Sequence, residues 1–401
     1  MSMFLRTLKH KLSFGLTKFL VQFMPGASYM TFVGPGSSRQ LCNLITSSGA
    51  RKVLVVTDKP LRELGVVDTA VAGLAEAGVD IAYYDGVLPD PTYEQVAEGV
   101  KVMRQHVSDV VLAIGGGSSM DAAKIIAASS ASEDDPRDWV GFGKVKHELP
   151  RIYAIPTTSG TGSEAAMGAV ISDPVSHEKG VISGRTLLPA ATALDTELLL
   201  GLPPAITAAT GMDALTHGIE AYIGTWERGT RKEDARAAIK MIFDNLETAV
   251  SDGSNREARE AMAIAAFYAG QAINQVNVGN VHAIAHQIGG KYGIPHGLAN
   301  ALVLPHVLEF CHDEAQERLA DLAVLVGAGQ EGEDSSQLAH AFVRAVRDLR
   351  TEVGIPDHSE LIRREDYDYL ANLAIAEGAG YPVPRLLDKE SVLRILNKVA
   401  D

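Results

Sequence analysis

Cysteine is scarce in this sequence, with only 2 among 401 residues. Cys42 and Cys311 do not form a C-x-x-C pair, and two cysteines cannot build the disulfide framework of a small secreted domain. We therefore interpret both as small residues of the core or surface. This cysteine content fits a reducing compartment, and we expect the protein to be cytoplasmic.

Long apolar runs and excess positive charge are also missing. No run of about 18 apolar residues follows the N-terminal segment, which argues against a membrane-spanning helix. The formal net charge of -14 argues against a general nucleic-acid binder, which needs a basic face. Hydrophobic residues make up 46% of the chain and charged residues 21%, as in a folded globular protein. A length of 401 residues exceeds one ordinary core and suggests two domains.

Acidic residues are absent from the first 26 positions, which contain Arg6, Lys9, Lys11 and Lys18. We expect residues 1–27 to form a basic helical extension that packs on the protein or on a neighbouring copy. A targeting peptide and a helix at the membrane surface remain alternatives. A secretory signal is disfavoured, because basic residues interrupt the apolar run and no A-x-A cleavage site follows.

Between residue 28 and about residue 202, short β-branched segments alternate with helical patterns. This alternation predicts an α/β domain with a parallel sheet over residues 28–203. The clearest strands are Lys52 to Thr57, Ile81 to Tyr84, Asp109 to Ile114 and Arg151 to Ile155. Helices are predicted at about 60–77, 93–106 and 119–130. Because ligands of such sheets bind at the carboxyl ends of the strands, those ends are candidate sites.

Two glycine-rich segments follow predicted strands. The strand DVVLAI leads directly into Gly115-Gly116-Gly117-Ser118-Ser119 and then into a helix. Glycines let the backbone approach a phosphate, and the free N–H groups of a helix start favour its charge. After RIYAIP, residues 157–165 match G-x-G-x-x-A and are rich in hydroxyls. Together these loops predict a dinucleotide-binding domain, although the first is also compatible with a plain glycine turn.

Asp58 follows the predicted strand KVLVVT. A carboxylate at a strand end can accept hydrogen bonds from the adenosine ribose and repels a 2′-phosphate, so NAD is preferred over NADP. The same residue could instead cap a helix that begins near Pro60.

The pattern changes after Pro203 and Pro204, where helical periodicity replaces the alternation. We predict a helical domain over residues 204–401. Its clearest helices are Thr207 to Tyr222, Glu233 to Ser251, Arg256 to Asn274, Val281 to Tyr292, Gly297 to Cys311, Glu314 to Val326 and Ser335 to Val353.

Histidine and aspartate cluster in this helical half. His282 and His286 are four residues apart, as are Asp213 and His217, so each pair lies on one helix face. His296 lies between Pro295 and Gly297, where a new helix is expected to start. Such pairs are often solvated or satisfied in a core, but here the neighbours are small and apolar. Buried imidazoles and carboxylates need partners, and a divalent transition metal would satisfy them together.

With these motifs in place, the sequence resembles the iron-containing (group III) alcohol dehydrogenase family. It is similar in particular to the lactaldehyde reductase and propanediol dehydrogenase members. The motifs that carry the resemblance span about residues 28–390 in the family's order: VTDK at 56–59, GGGSSMDAAK at 115–124, IPTTSGTGSE at 155–164, GMDALTHGIEAY at 211–222 and VHAIAHQIGGKYGIPHGLANALVLPH at 281–306.

The resemblance implies an N-terminal Rossmann-like parallel-sheet domain and a C-terminal helical metal-binding domain, that is, an α/β part followed by an all-α part. It implies metal ligands at Asp213, His217, His282 and His296, with His286 beside the nicotinamide. Cofactor-binding residues are implied at Asp58, Gly116, Gly117, Ser118, Thr157 and Thr158, with Lys179 as a further candidate. Gln287 and Asp90 depart from the family, which often has proline and asparagine there.

The implied function is a metal-dependent oxidoreductase that interconverts a primary alcohol and its aldehyde by hydride transfer to or from NAD. Fe(II) is the expected metal and Zn(II) the alternative, because ligand type alone does not select between them. We hypothesise that His286 relays the hydroxyl proton. A small-molecule substrate and a homo-oligomer, a dimer or larger, are also expected.

Two other functions remain open from the sequence. One is a lyase or cyclase similar to dehydroquinate synthase, which uses NAD transiently on a related scaffold. The other is a non-catalytic protein that binds NAD or a metal. The sequence does not identify the alcohol, the native metal or the physiological direction.

Overall fold

The computed structural model describes residues 30–175, 179–226 and 230–400. The predicted N-terminal extension, residues 1–27, lies outside the described residues. Contacts divide the chain into two compact units, a sheet unit and a helical unit, with the boundary at Pro203 and Pro204. Among the described residues, no helix has both the length and the apolar character needed to cross a bilayer.

The sheet unit contains a six-stranded sheet with the order β1-β9-β6-β4-β2-β3, in which every pairing is parallel. Its strands are β1 Thr31–Val33, β2 Lys52–Val56, β3 Asp80–Tyr84, β4 Val110–Gly115, β6 Arg151–Pro156 and β9 Ala191–Leu194. The predicted parallel sheet is confirmed. β1 and β9 were not among the strands clear from sequence.

Side-chain alternation explains how the sheet is buried on both faces. Val53 and Val55 pack in one apolar cluster, and Leu54 and Val56 pack in another. Successive residues of a strand point to opposite faces, so the two clusters are the cores on the two sides of the sheet. A strand buried on both faces is continuously apolar, as in the fully buried β4.

In the part of the chain that the structure describes, five α-helices lie between the strands of this sheet in sequence order. They are α1 Ser37–Ser47, α2 Lys59–Glu63, α3 Val66–Glu76, α4 Tyr93–His106 and α5 Gly117–Ser130. The single helix predicted at 60–77 is divided into α2 and α3. Gly65 lies between them with φ 73, and this left-handed conformation ends one helix and begins the next.

A second, three-stranded sheet follows, with the order β5-β8-β7 and an antiparallel β7–β8 pair. Its strands are β5 Gly141–Phe142, β7 Gly168–Ser172 and β8 Lys179–Ser183. Short 3-10 helices lie at Pro136–Trp139, Arg185–Leu187 and Thr196–Leu198. The sequence pattern did not predict this small sheet, because its strands are short and an acidic loop separates two of them.

The second half of the chain is helical, as predicted. Its helices are α6 Pro204–Ile223, α7 Thr230–Ser251, α8 Arg256–Val276, α9 Asn280–Tyr292, α10 His296–Phe310, α11 His312–Leu325, α12 Ser335–Glu352, α13 Tyr367–Gly378 and α14 Lys389–Val399, with a 3-10 turn at Arg364–Asp366. α13 and α14 were not among the helices that were clear from the sequence.

One segment of this half belongs to the sheet unit by its contacts. Residues Asp252–Gly270, including most of α8, are grouped with the sheet rather than with the other helices. The backbone of Gly162 lies so close to Gly270 that a Cβ on either residue would approach the other backbone within 2.8 Å. Arg256 also forms an ion pair with Glu197. This grouping differs from the predicted helical domain over residues 204–401, which includes the segment.

Candidate metal centre and cofactor loops

Helix α6 presents the first pair of candidate ligands. Asp213 and His217 are one turn apart and are 1% and 5% exposed. Every residue from Gly211 to Ile223 in this helix is buried. The pair therefore projects into a largely apolar interior, where polar groups require partners.

Helices α9 and α10 present the remaining histidines. α9 carries His282 and His286 and ends at Tyr292, followed by Gly293 in the left-handed conformation. Pro295 precedes α10, whose first residue is His296. The predicted break between the two helices is therefore confirmed. It places the start of α10 beside α6, where a Cβ on Gly297 would lie 2.3 Å from the Ala209 carbonyl oxygen.

The structure brings Asp213, His217, His282 and His296 together. One ligand atom from each lies within 4.8 Å of the others. Nε2 of His217 is 3.1 Å from Nε2 of His282, and Nε2 of His296 is 3.4 Å from Oδ1 of Asp213. These are the four residues that the resemblance implied as metal ligands.

Glu220, which the sequence analysis did not select, holds His282 in place. Its Oε2 lies 2.6 Å from His282 Nδ1 and accepts from the Gly279 N–H at 2.7 Å. Its Oε1 accepts from the Val281 N–H at 2.6 Å. The carboxylate therefore caps the start of α9 and also fixes the imidazole, leaving Nε2 as the acceptor or ligand atom. Burial raises the pKa of Glu220 to about 8, although hydrogen bonds from the backbone N–H groups of Gly279, Val281 and His282 oppose the rise.

His282 is held neutral by its surroundings. Burial lowers the pKa of His282 well below its usual value, and the neighbouring imidazoles of His217, His296 and His286 lower it further. A neutral imidazole has the free lone pair that a metal requires.

Asn300 is a second residue missed from the sequence. It is fully buried in α10, one turn after His296. Its Nδ2 donates to Asp213 Oδ1 at 2.7 Å and lies 3.1 to 3.2 Å from Nε2 of His296 and of His282. The four-residue spacing from His296 was the available signal.

His286 lies beside the cluster, and its ring is stacked with the His296 ring at a centroid distance of 5.3 Å. Its Nδ1 lies 2.6 Å from Glu377 Oε1. Glu377 also accepts from Tyr381 and from Gln287, each at 2.6 Å. Although burial opposes it, these hydrogen bonds and the nearby imidazole lower the pKa of Glu377. The carboxylate therefore orients the His286 ring, and Gln287, one of the two departures from the family pattern, supports it.

In the sheet unit, the two glycine-rich segments lie side by side at the carboxyl ends of β4 and β6. The Thr157 N–H donates to the Gly115 carbonyl at 3.0 Å. A Cβ on Gly116 would lie 3.3 Å from the Thr158 hydroxyl, and one on Gly117 would lie 2.6 Å from the Thr161 methyl. Gly116 is the N-cap of α5 and has no side chain to cap it, so its first N–H groups are available to an anion. Ser118 is in the first turn of this helix.

Lys124 anchors the second loop from beneath. Its ammonium group is fully buried and shares its three N–H groups among four oxygens at 2.6 to 2.9 Å, the carbonyls of Ser163, Ala166 and Gly168 and the Ser163 hydroxyl. Burial lowers the pKa of Lys124 to about 8. The last residue of the family motif GGGSSMDAAK thus holds the position of the neighbouring glycine-rich loop.

Asp58 and Lys179 have local partners. Asp58 is the N-cap of α2, and its Oδ1 accepts from the Leu61 N–H at 2.9 Å. The helix cap considered in the sequence analysis is therefore present and uses one carboxylate oxygen. Lys179 forms an ion pair with Asp90 at 2.6 Å. Asp90 is the other residue that departs from the family pattern.

The residues of the helical cluster fit a divalent metal. Their donor set is one carboxylate and three imidazoles, which suits first-row transition metals. Asp213 and Glu220 are both buried here, and a divalent cation would balance the Asp213 carboxylate and favour the ionised form of Glu220, whose pKa burial raises to about 8. This cluster, together with a parallel sheet that ends in paired glycine loops, defines the class of a metal-dependent, dinucleotide-using oxidoreductase.

Comparison with known proteins gives the family. The iron-containing alcohol dehydrogenase model matches residues 29–196, and the C-terminal model of the Fe-containing alcohol dehydrogenase family matches residues 207–400. The chain therefore belongs to the iron-containing alcohol dehydrogenase family, as the sequence motifs predicted.

Individual relatives agree along nearly the whole chain. A 1,3-propanediol dehydrogenase from Citrobacter freundii is 38% identical, over 92% of this chain and 96% of its own. An NAD-dependent methanol dehydrogenase from Bacillus methanolicus is 36% identical, over 93% of this chain and 98% of its own. A crystal structure of a 1,3-propanediol oxidoreductase is 37% identical with a TM-score of 0.91, covering 94% of this chain and 99% of that one. The protein is thus an NAD-dependent alcohol dehydrogenase of the iron-containing type, and the lyase alternative is not favoured.

Proposed function

We propose that the protein interconverts a small primary alcohol and its aldehyde, using Fe(II) held by Asp213, His217, His282 and His296. The observation that carries this proposal is the convergence of these four ligands within 4.8 Å, with Asp213, His217 and His282 buried and His296 partly buried. Relatives that are named for 1,3-propanediol and for methanol support a short primary alcohol as the substrate.

A bound divalent metal supplies Lewis acidity, which lowers the pKa of an alcohol hydroxyl and polarises an aldehyde. The protein's own contribution is to keep the ligands in the correct form. Glu220 fixes the tautomer of His282, and the low pKa of His282 keeps that ring neutral. Zn(II) fits the same donors, and metal availability selects between the two ions.

His286 is proposed to hold the hydroxyl proton. With Nδ1 directed to Glu377, the ring presents Nε2 as its second proton-exchanging atom. Tyr381 and Gln287 complete the contacts of Glu377, so the carboxylate stays in place to stabilise a protonated ring.

NAD is proposed to bind at the paired loops of the sheet unit, with its phosphates at Gly116, Gly117 and Ser118. Thr157 and Thr158 line the neighbouring loop. Asp58 retains one carboxylate oxygen that its helix cap does not use, and this oxygen can accept from the ribose. Lys179 is the further candidate and is paired with Asp90.

We also propose a homo-oligomeric, cytoplasmic protein. Both cysteines are free and buried, which suits a reducing compartment. For the basic extension, packing on the protein or on a partner copy is proposed over membrane contact.

The test is metal analysis of anaerobically purified protein, followed by an NAD-linked assay over primary alcohols of increasing length. We expect about one iron per chain and net NADH formation with short alcohols. His217→Ala should lose both the metal and activity, whereas His340→Ala, at an exposed histidine of α12, serves as the matched control. Fully metallated protein that forms no NADH with any alcohol would contradict the proposed function.

A further inference from the structure

Asn300 is in contact with three of the four proposed ligands. Its Nδ2 is 2.7 Å from Asp213 Oδ1, 3.1 Å from His296 Nε2 and 3.2 Å from His282 Nε2. The side chain is fully buried. The amide nitrogen therefore lies where the acceptor atoms of the ligands converge.

This arrangement satisfies the amide only in part. An NH₂ group has two hydrogens, so it cannot donate fully to three acceptors. At its other end, the buried Oδ1 of Asn300 has no hydrogen-bond partner among the described residues. A buried oxygen left without a partner is destabilising, because it has lost its hydrogen bonds to water. The amide nitrogen thus contacts three of the ligands, whereas the amide oxygen forms no hydrogen bond with the described residues.

A half-turn about the Cβ–Cγ bond of Asn300 exchanges Nδ2 and Oδ1. Without a cation, an inward oxygen would face the Asp213 carboxylate and the imidazole lone pairs and would be repelled by them. With a cation, the inward oxygen would be attracted, because amide oxygens are established ligands of divalent metals. The favoured orientation of the amide therefore depends on whether a metal is bound.

We propose that Asn300 is a metal-responsive member of the site. Its Nδ2 holds the ligands together in the absence of a metal, and its Oδ1 turns towards the cation when one binds. This inference rests on the proposed metal site. It adds a donor to the four ligands and predicts that Asn300 contributes to metal affinity.

The test compares Asn300→Leu, which keeps the side-chain shape without the amide, with Asn300→Asp, which has two oxygens. Metal affinity is measured by competition with a chelator, and the absorption spectrum of the Co(II)-loaded protein reports the ligand field. Asn245→Asp is the control, because Asn245 is a half-buried asparagine of α7 whose amide donates to the Met241 carbonyl. It adds the same charge away from the cluster.

We expect Asn300→Leu to bind the metal roughly 10- to 100-fold more weakly and to change the Co(II) spectrum. Asn300→Asp should bind it at least several-fold more tightly, because a carboxylate attracts the cation more strongly than an amide does. Asn245→Asp should leave both the affinity and the spectrum unchanged.

Affinity of Asn300→Leu within about twofold of wild type would overturn the inference, as would weaker binding by both variants of Asn300. If the leucine variant does not fold, the aspartate variant decides: tighter binding with a changed spectrum supports the inference, and unchanged or weaker binding overturns it. Wild-type protein that binds no divalent metal would overturn the proposed function as well, so the two failures are distinguishable.

Discussion

Glutamine at position 220 would keep the shape of Glu220 but remove its charge and one of its two acceptor oxygens. The carboxylate now accepts from Gly279, Val281 and His282. A glutamine amide offers one oxygen, so its NH₂ group must face at least one of these donors. The hydrogen bond to His282 would also lose its ionic component, and charge-assisted hydrogen bonds are roughly twice as strong as neutral ones.

The expected loss follows from the role of His282. Partners that fix a metal-binding histidine typically contribute about 10- to 100-fold to metal affinity, or about 1.4–2.8 kcal/mol. Because Glu220 makes three contacts in a fully buried position, we expect Glu220→Gln to fall at the upper end of that range. The N-terminus of α9 would also lose part of its cap, which should lower the unfolding free energy of the metal-free protein by about 1–2 kcal/mol.

The assay is chelator competition with Fe(II) under anaerobic conditions, combined with thermal unfolding of the metal-free protein. Glu247→Gln, at an exposed glutamate of α7, controls for the loss of one acidic residue. Metal affinity of Glu220→Gln within about twofold of wild type would refute the inference that Glu220 fixes the His282 ring for metal binding. A loss of stability without a loss of metal affinity would show that Glu220 acts only as a cap of α9.

Four further outcomes are expected. Glu377→Gln should lower kcat by about 10- to 100-fold in steady-state assays without loss of metal, because His286 loses its orienting charge; unchanged kcat would contradict the proposed relay. Lys124→Met should lower the unfolding free energy by about 3–5 kcal/mol in denaturant titrations, because buried carbonyls lose their donor. Gly162→Ala should lower it by about 2 kcal/mol or more, because Gly162 has φ 62 and a Cβ would lie 2.6 Å from backbone atoms. Burial raises the pKa of Glu164 from 4.5 to about 7, so its stabilising contribution is full below pH 4.5 and is lost as pH rises through 7. Glu164→Gln should therefore gain roughly 3 kcal/mol relative to wild type between pH 4.5 and 8, measured by unfolding at both pH values.

Much of the fold could be predicted because its elements have strong periodicity. α4 was predicted at the residues where it occurs, and the central strands were correct to within one or two residues. The hairpin β7–β8 was missed, because its five-residue strands carry no clear alternation. The interruption between α2 and α3 was missed because a single glycine, Gly65, decides it and the apolar pattern continues across it.

The candidate site likewise contains residues that could be predicted from the sequence and residues that could not. The ligand residues could be selected because each pair shares a helix face, and the helix start at His296 is encoded by the proline before it. Glu220 and Asn300 carried a weaker signal, since each is three or four residues from a ligand in an apolar helix. Glu377 gave no local signal at all. It reaches His286 from about ninety residues further along the chain, and only the packing of α9 with α13 brings the two together.

Lys124 provides a natural reporter for opening of the cofactor loop. Its ammonium group is buried beneath the loop in contact with four oxygens, so acylating reagents that modify surface lysines should not react with it while the loop is closed. Burial holds the pKa of Lys124 at about 8 while the loop is closed, and lifting the loop would expose the amine to the reagent and return its pKa towards that of an ordinary lysine. The labelling rate at Lys124 would therefore report how often the loop opens, and that rate should fall on addition of NAD if NAD binds this loop as proposed.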